Sequence, residues 1–278
     1  MPLHEFQAMV QKNRWAKELP GCSRVIKSME EPVMKPGKWD LLKGMIQPTD
    51  TYLGPNLHCI FRKLVHYTVE APPRGLTCKL RDYQLEGYGW AKNLLKNGFG
   101  CLLADQMGLG KTVQAIAVMV GLDIPLPKMV VCPASLLGSW EQELENFAPG
   151  MKRFIFHGKV TLPELERDHV IITTYATLAN RIDEFKAIEW GLVILDEAQV
   201  VKNNKTKAAL ACRILKTEYR MALTGTPVEN STVDLWSIVD FLLPGYLGDI
   251  RTFNRNLKRD PARLNKLVKP FMLRRTKA

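Results

Sequence analysis

From Leu80 onward the chain alternates short, near-continuous apolar runs with stretches of helical spacing, and few architectures accommodate that order. The runs are 99–104 (FGCLLA), 129–133 (MVVCP), 154–158 (FIFHG), 170–175 (VIITTY), 192–198 (LVILDEA) and 220–225 (RMALTG). Their Val/Ile/Leu content, with little polar alternation, predicts strands buried on both faces. Between them, 135–147, 176–185 and 206–215 carry apolar residues at helical spacing. The expectation is an α/β fold, a parallel sheet with helices on both faces. Right-handed crossovers then bring the C-terminal ends of all strands to one edge, where such sheets bind ligands.

Residues 1–79 read differently. They hold eight of the seventeen prolines, with turn signals at LPGC, KPGKW, LGPN and APPRG, and are expected to form an irregular N-terminal accessory segment. The chain is 46% hydrophobic and 24% charged, ordinary values for a soluble globular protein with a sizeable core. No apolar run reaches the roughly 18 residues of a membrane helix, and the first residues lack the apolar stretch of a signal peptide, so an intracellular protein with no membrane partner is expected. The six cysteines form no Cys-x-x-Cys pair, which argues against a zinc site, and Cys101 and Cys132 lie inside apolar runs as expected of buried thiols. The net charge of +11 is concentrated at one end: 251–278 holds ten Lys/Arg and one acidic residue. Such a basic segment suits either a polyanion or a solvated face.

The first chemical motif is CLLADQMGLGKTVQAIAVMV (101–120), which reads as strand, glycine loop and helix. Phosphate-binding loops have this context, with Gly, four residues, then Gly-Lys-Ser/Thr. Here Asp105 stands at the first glycine position. Asp105, Gln106, Met107, Gly108, Leu109, Gly110, Lys111 and Thr112 are the nucleotide-binding candidates. Glycines at 108 and 110 let backbone N–H groups face phosphate oxygens, and the helix N-terminus favours an anion. Lys111 is assigned to the β- and γ-phosphates, and the Thr112 hydroxyl to a Mg²⁺ shell made mostly of water and phosphate. The second motif, LVILDEAQ, delivers Asp196 and Glu197 from a strand end. Asp196 suits Mg²⁺, and Glu197 suits orienting and deprotonating an attacking water. The third, ALTGTPVEN (222–230), places Thr224, Gly225 and Thr226 on the same edge, where the two hydroxyls are positioned to sense the terminal phosphate and relay its loss.

Taken together these stretches resemble the first lobe of the Swi/Snf-type ATPases, helicase-related DNA translocases of superfamily two. The resemblance runs in family order over about seven-tenths of the chain, Leu80–Lys277, through LRDYQLEGYGW, DQMGLGKT, VVCPASLLGSW, ITTY, DEAQVVKN, LTGTPVEN and FMLRRTK. It implies a RecA-like P-loop NTPase lobe (80–278) whose end, 251–278, is a basic connector. It also implies ATP and Mg²⁺ as cofactors, ATP hydrolysis dependent on double-stranded DNA, and a second RecA-like lobe as partner. By resemblance Gln84 contacts the adenine and Gln199 joins Thr224, Gly225 and Thr226 in coupling. Ser135, Thr173 and Thr174 contact DNA phosphates, although Ser135 also reads as a helix N-cap.

An Asp at position 105 is usual in that family; Gln106 departs from its customary Glu. DEAQ and TGT differ from the Asp-Glu-Ala-Asp and Ser-Ala-Thr of DEAD-box RNA helicases. The sequence contains none of the second lobe's motifs, so a module that binds ATP and DNA without turnover is the alternative. Arg274 and Arg275 fall on the connector and read as part of a basic linker. A DNA-associated protein of this kind is expected in the cytoplasm, on the nucleoid, of a prokaryote or in the nucleus of a eukaryote.

Overall fold

The computed structural model describes residues 71–225, 232–259 and 268–277. The accessory segment up to residue 70, with Cys22 and Cys59, and the candidate Thr226 lie outside the described residues.

The apolar runs become strands of one sheet. In chain order the elements are α1 (Asp82–Lys96), β1 (Cys101–Leu103), α2 (Lys111–Gly121), β2 (Lys128–Cys132), α3 (Leu137–Phe147), β3 (Lys152–Phe156), β4 (His169–Thr174), α4 (Tyr175–Asn180) and α5 (Ile182–Lys186). Then follow β5 (Glu189–Leu195), α6 (Lys207–Ile214), β6 (Lys216–Leu223), α7 (Thr232–Leu242), α8 (Ile250–Arg259) and β7 (Met272–Leu273). Short 3₁₀ turns occupy Ala134–Leu136, Ala198–Val201 and Lys269–Phe271. All seven strands are parallel, in the order β3-β4-β2-β5-β6-β1-β7.

The order dictates where the helices go. From β1 the chain moves to β2 and β3 on one side, and from β4 it moves back through β5 and β6 to β7 on the other. Right-handed crossovers therefore put α2 and α3 on one face and α4 to α8 on the opposite face. Packing agrees: α2 lies against α1 and α3, while α6 lies against α4 and α7. The central strands are enclosed, with Met129–Val131, Val170–Ile172 and Leu192–Leu195 fully buried. α3 fits its place because Leu137, Trp140 and Leu144, at i, i+3 and i+7, form its buried stripe.

Among the described residues no helix is long and apolar enough to cross a membrane. Cys101, Cys132 and Cys212 are buried free thiols, and burial pushes the Cys132 thiol up to about 12. Two features depart from the sequence reading. The helix expected over 135–147 opens as a 3₁₀ turn, and the N-cap of α3 is Leu136 without a side-chain cap, so Ser135 is not capping it. The connector, expected as a basic linker, contributes β7 to the sheet edge, paired in register with β1 at Leu102↔Met272 and Leu103↔Leu273.

Candidate nucleotide site

Chain direction makes the site. β1 leads to a helix on one face and β6 to helices on the other, so their neighbouring C-terminal ends open a crevice. The loop after β1, the carboxylates after β5 and the Thr-Gly after β6 meet there, with β6 between the other two.

The loop has the backbone that its glycines allow. Gly108 (φ 83°) and Gly110 (φ 71°) are left-handed, and Gly110 is the N-cap from which α2 begins at Lys111. This leaves the first N–H groups of α2 without intrahelical partners, facing the crevice end of the sheet. Lys111 Nζ donates to the Asp105 carbonyl oxygen at 2.9 Å. Thr112 follows on the first turn, half-buried, and Met107 is 67% exposed at the loop's outer surface. Gln84 is buried: its Oε1 accepts the Arg81 N–H at 3.0 Å and its Nε2 donates to the Leu109 carbonyl at 3.3 Å, so it ties the start of α1 to the loop.

Asp105 has a different place from its neighbours. Its carboxylate is fully buried and points to the connector, where Arg275 binds both of its oxygens, and Gln114 Nε2 donates to Oδ2 at 3.3 Å. The reading of Arg275 as part of a basic linker is therefore corrected. Its guanidinium is drawn in by a buried negative charge, while Arg274 beside it is exposed. Gln106 also serves the connector, its Oε1 accepting the Lys277 N–H at 2.8 Å.

Across the crevice Asp196 is buried at the end of β5. Its Oδ2 accepts from Trp140 Nε1 at 2.8 Å and its Oδ1 from the Glu197 N–H at 2.9 Å. Burial pushes the Asp196 carboxyl above the usual carboxylate range. The Trp140 and Glu197 N–H groups oppose that rise, the Glu197 charge adds to it, and the Lys111 ammonium opposes it. Glu143 on α3 is also raised, by burial and then by the Asp196 charge.

Glu197 is the one non-glycine residue with positive φ among the described residues (φ 49°, ψ 53°). Its Oε2 accepts from Gln199 Nε2 at 2.8 Å, and Gln199 Oε1 accepts from Thr224 Oγ1 at 2.8 Å. A continuous hydrogen-bonded chain thus joins the end of β6 to the carboxylate after β5. Gly225 completes the closure: a Cβ there would lie 3.0 Å from Met107 Cγ and 3.8 Å from Lys111 Nζ.

The three DNA-contact candidates separate. Ser135 is exposed on its 3₁₀ turn. The Thr173 hydroxyl is buried and donates to the Phe156 carbonyl at 2.8 Å. The Thr174 hydroxyl caps α4, accepting the Thr177 N–H at 3.1 Å and donating to Thr177 Oγ1 at 2.9 Å. Both threonine side chains are occupied within the fold, because β4 is covered on both faces to its last residue.

Trp140 and Tyr175, whose OH donates to the Asp196 carbonyl at 2.7 Å, escaped sequence reasoning. Each sits at an apolar position and carries no local mark of the carboxylate it serves. Trp140→Phe keeps the ring in the core but removes a donor to Asp196, so the carboxyl rises further. With Asp196 in the metal-holding role expected from the sequence, whose outer partners are worth about 10–100-fold, a loss of turnover in that range is expected in a two-lobed protein, narrowing as pH is raised. Unchanged kcat at neutral pH would remove Trp140 from the site.

Comparison with known proteins follows the same residues. The sequence profile of the SNF2-related domain matches residues 83–278. The chain is 34% identical over 239 residues to the chromatin-remodeling ATPase INO80 of Schizosaccharomyces pombe, covering 74% of this chain and 15% of that protein. It is 33% identical over 245 residues to the TATA-binding protein-associated factor mot1 of the same organism, covering 74% and 12% respectively. Among solved structures it resembles the Sulfolobus solfataricus SWI2/SNF2 ATPase core in complex with dsDNA, at 42% identity and a TM-score of 0.71 over 76% of this chain and 47% of that one. The chain thus spans about half of that core and a small part of the two larger relatives.

Proposed function

Because the chain belongs to the SNF2-related ATPase family, as a RecA-like first lobe, we propose that it is the ATP-binding and ATP-hydrolysing lobe of a double-stranded DNA translocase. The observation that carries this reading is the convergence of Lys111, Asp196, Glu197 and Thr224 at the ends of neighbouring strands, with Glu197, Gln199 and Thr224 joined by hydrogen bonds.

In this reading the phosphates of ATP lie on the N–H groups of residues 108–112 and the helix end behind them, and draw Lys111 Nζ from the Asp105 carbonyl. The donor set fits Mg²⁺: one hydroxyl (Thr112) and one carboxylate (Asp196) are hard oxygen donors, and Mg²⁺ takes few protein ligands, filling its shell with phosphate and water. Among the described residues no cluster of three or more His, Cys, Asp or Glu side chains forms a dedicated metal cage. The ion supplies charge neutralisation at the phosphates. Glu197 orients the attacking water and takes its proton; the bond broken is the terminal phosphoanhydride. Loss of the terminal phosphate is felt at Thr224 and Gly225 and passes through Gln199. A second RecA-like lobe closes over the nucleotide and supplies arginine to the transition state, a contribution worth about 10³–10⁵ in rate.

DNA is held through phosphates, with Ser135 and the basic residues of 251–278 contributing, so contact is indifferent to sequence. The exposed positions support this for Ser135, Arg251 and Arg274. Arg275 does not belong to that set, since its charge is spent on Asp105. The protein works where DNA is, in the prokaryotic cytoplasm on the nucleoid or in the eukaryotic nucleus.

The test joins this lobe to a second lobe and measures ATP turnover with duplex DNA and with RNA of equal length over a salt series. Duplex DNA is expected to stimulate more than RNA. Its affinity should fall steeply with salt, by a log–log slope of about 0.9 for each phosphate contact. Stronger stimulation by RNA, or a flat salt response, would overturn the DNA reading.

A further inference from the structure

Beyond the loop itself, residues 272–277 of the connector run alongside the nucleotide site. After β7 pairs with β1, the Ala104 N–H donates to the Leu273 carbonyl at 2.7 Å and the Gln106 N–H to the Arg275 carbonyl at 2.9 Å. The Lys277 N–H reaches Gln106 Oε1, and its ammonium lies beside the loop: a Cβ on Gly108 would sit 2.9 Å from Lys277 Nζ. The first half of the phosphate loop is therefore built as a continuation of the sheet edge, with the connector as its neighbour.

Arg275 is the fixed point of this arrangement. Its own N–H and its Nε donate to Asp105 Oδ1 at 3.0 and 2.9 Å, and Nη2 binds Asp105 Oδ2 and, at 2.7 Å, Gln114 Oε1. Nη1 donates to the Tyr83 carbonyl, and the guanidinium lies over the Tyr83 ring at 5.1 Å. One side chain thus joins the start of α1, the loop and α2. The space is reserved for it: a Cβ on Gly87 of α1 would come within 2.8 Å of Arg275 Nη2. Asp105 has no exposed surface, so without Arg275 its charge would be buried and uncompensated. The same residue holds the connector with its carboxylate and Lys111 with its carbonyl.

We propose that Arg275 is a positioning residue for nucleotide binding, and that the connector and the phosphate loop are thereby thermodynamically coupled. This rests on the reading of the loop as a nucleotide site. A docked connector holds Asp105, and with it Lys111 and the loop, in the shape that receives phosphate. By linkage, nucleotide must strengthen docking by the factor that docking strengthens nucleotide binding. Whatever follows the connector in a larger protein is then informed of occupancy through residues 273–277. The sequence detail that a phosphate loop begins with Asp instead of Gly acquires a reason: Asp105 is the acceptor that Arg275 requires.

Two amide protons report the coupling directly, those of Arg275 and Lys277. Hydrogen exchange of the 278-residue chain is measured with magnesium and a non-hydrolysable ATP analogue, and without them. Both amides are expected to slow by about 5–150-fold at saturation, the usual span of coupling factors. Arg275→Lys keeps the charge but loses the planar fork. It is expected to abolish the slowing at Lys277 and to weaken analogue binding by a matching factor. A merely structural arginine would lower the unfolding temperature on substitution yet leave exchange at both wild-type amides indifferent to nucleotide. That indifference, with analogue bound, overturns this inference alone. Failure of the wild-type chain to bind the analogue overturns the reading of the site and this inference with it. Should Arg275→Lys not fold, the wild-type exchange still decides.

Discussion

Glu197→Gln is expected to retain ATP binding within a few-fold and to lower turnover by about 10²–10⁴-fold, the range attributed to general acid–base catalysis. The expectation follows from where Glu197 is held. A left-handed conformation at a non-glycine residue costs on the order of 1–3 kcal/mol and persists only where surroundings impose it. Here the imposition is visible: the Glu197 N–H is bound to Asp196 Oδ1, and its side chain is bound through Gln199 to Thr224. The backbone is turned sharply at the strand end, and the two adjacent carboxylates are held by different partners, Asp196 by Trp140 and Glu197 by Gln199. Glutamine preserves length and an acceptor for Gln199, but its amide does not take a proton from water. Under the proposed function, binding is carried by the loop, Lys111 and Asp196, and is left in place. Nucleotide titration and steady-state turnover in a two-lobed protein check both halves. Near-normal hydrolysis would remove Glu197 from catalysis, and lost binding would show that the substitution disturbed Asp196 instead.

The sheet was legible because its strands are buried on both faces and so read as unbroken apolar runs. That signal weakens where burial is partial. β6 begins at Lys216, ahead of the run at 220–225, because Lys216–Tyr219 is exposed or half-buried and mixes polar residues into the strand. β7 has two residues and no pattern of its own; it exists because β1 offers an open edge.

Candidate residues on one contiguous stretch were also legible, since Gly-Lys-Thr after a strand and Asp-Glu at a strand end carry their chemistry in local order. Pairings over long separations were not. Arg275 meets Asp105 across 170 positions and Trp140 meets Asp196 across 56, and neither Arg275 nor Trp140 looks unusual beside its sequence neighbours. Thr173 and Thr174 show the opposite lesson. The resemblance places them on DNA phosphates, whereas the continuous run VIITTY implies a strand covered on both faces, and both hydroxyls are bonded within the fold.

Under the proposed function this edge binds Mg²⁺–ATP through Lys111. In the structure the Lys111 ammonium is satisfied by the Asp105 carbonyl, and a Cβ at Gly225 would come 3.8 Å from it, so it stands where the loop and the end of β6 meet. Exchanging one carbonyl for phosphate oxygens gives the ammonium partners of full negative charge, and such charge-assisted bonds are about twice as strong as neutral ones. Truncating one partner of a close charge pair costs about 2–5 kcal/mol, on the order of 30-fold or more in affinity. The loop's glycine conformations and helix end do not depend on the lysine side chain, so Lys111→Ala is expected to fold. The most direct measurement is a titration of the wild-type and Lys111→Ala chains with a fluorescent ATP analogue in the presence of magnesium. Saturable binding by the wild type, weakened by about 30-fold or more in the variant, is the predicted result. Equal affinity in the two chains, or no binding by the wild type, would contradict the account.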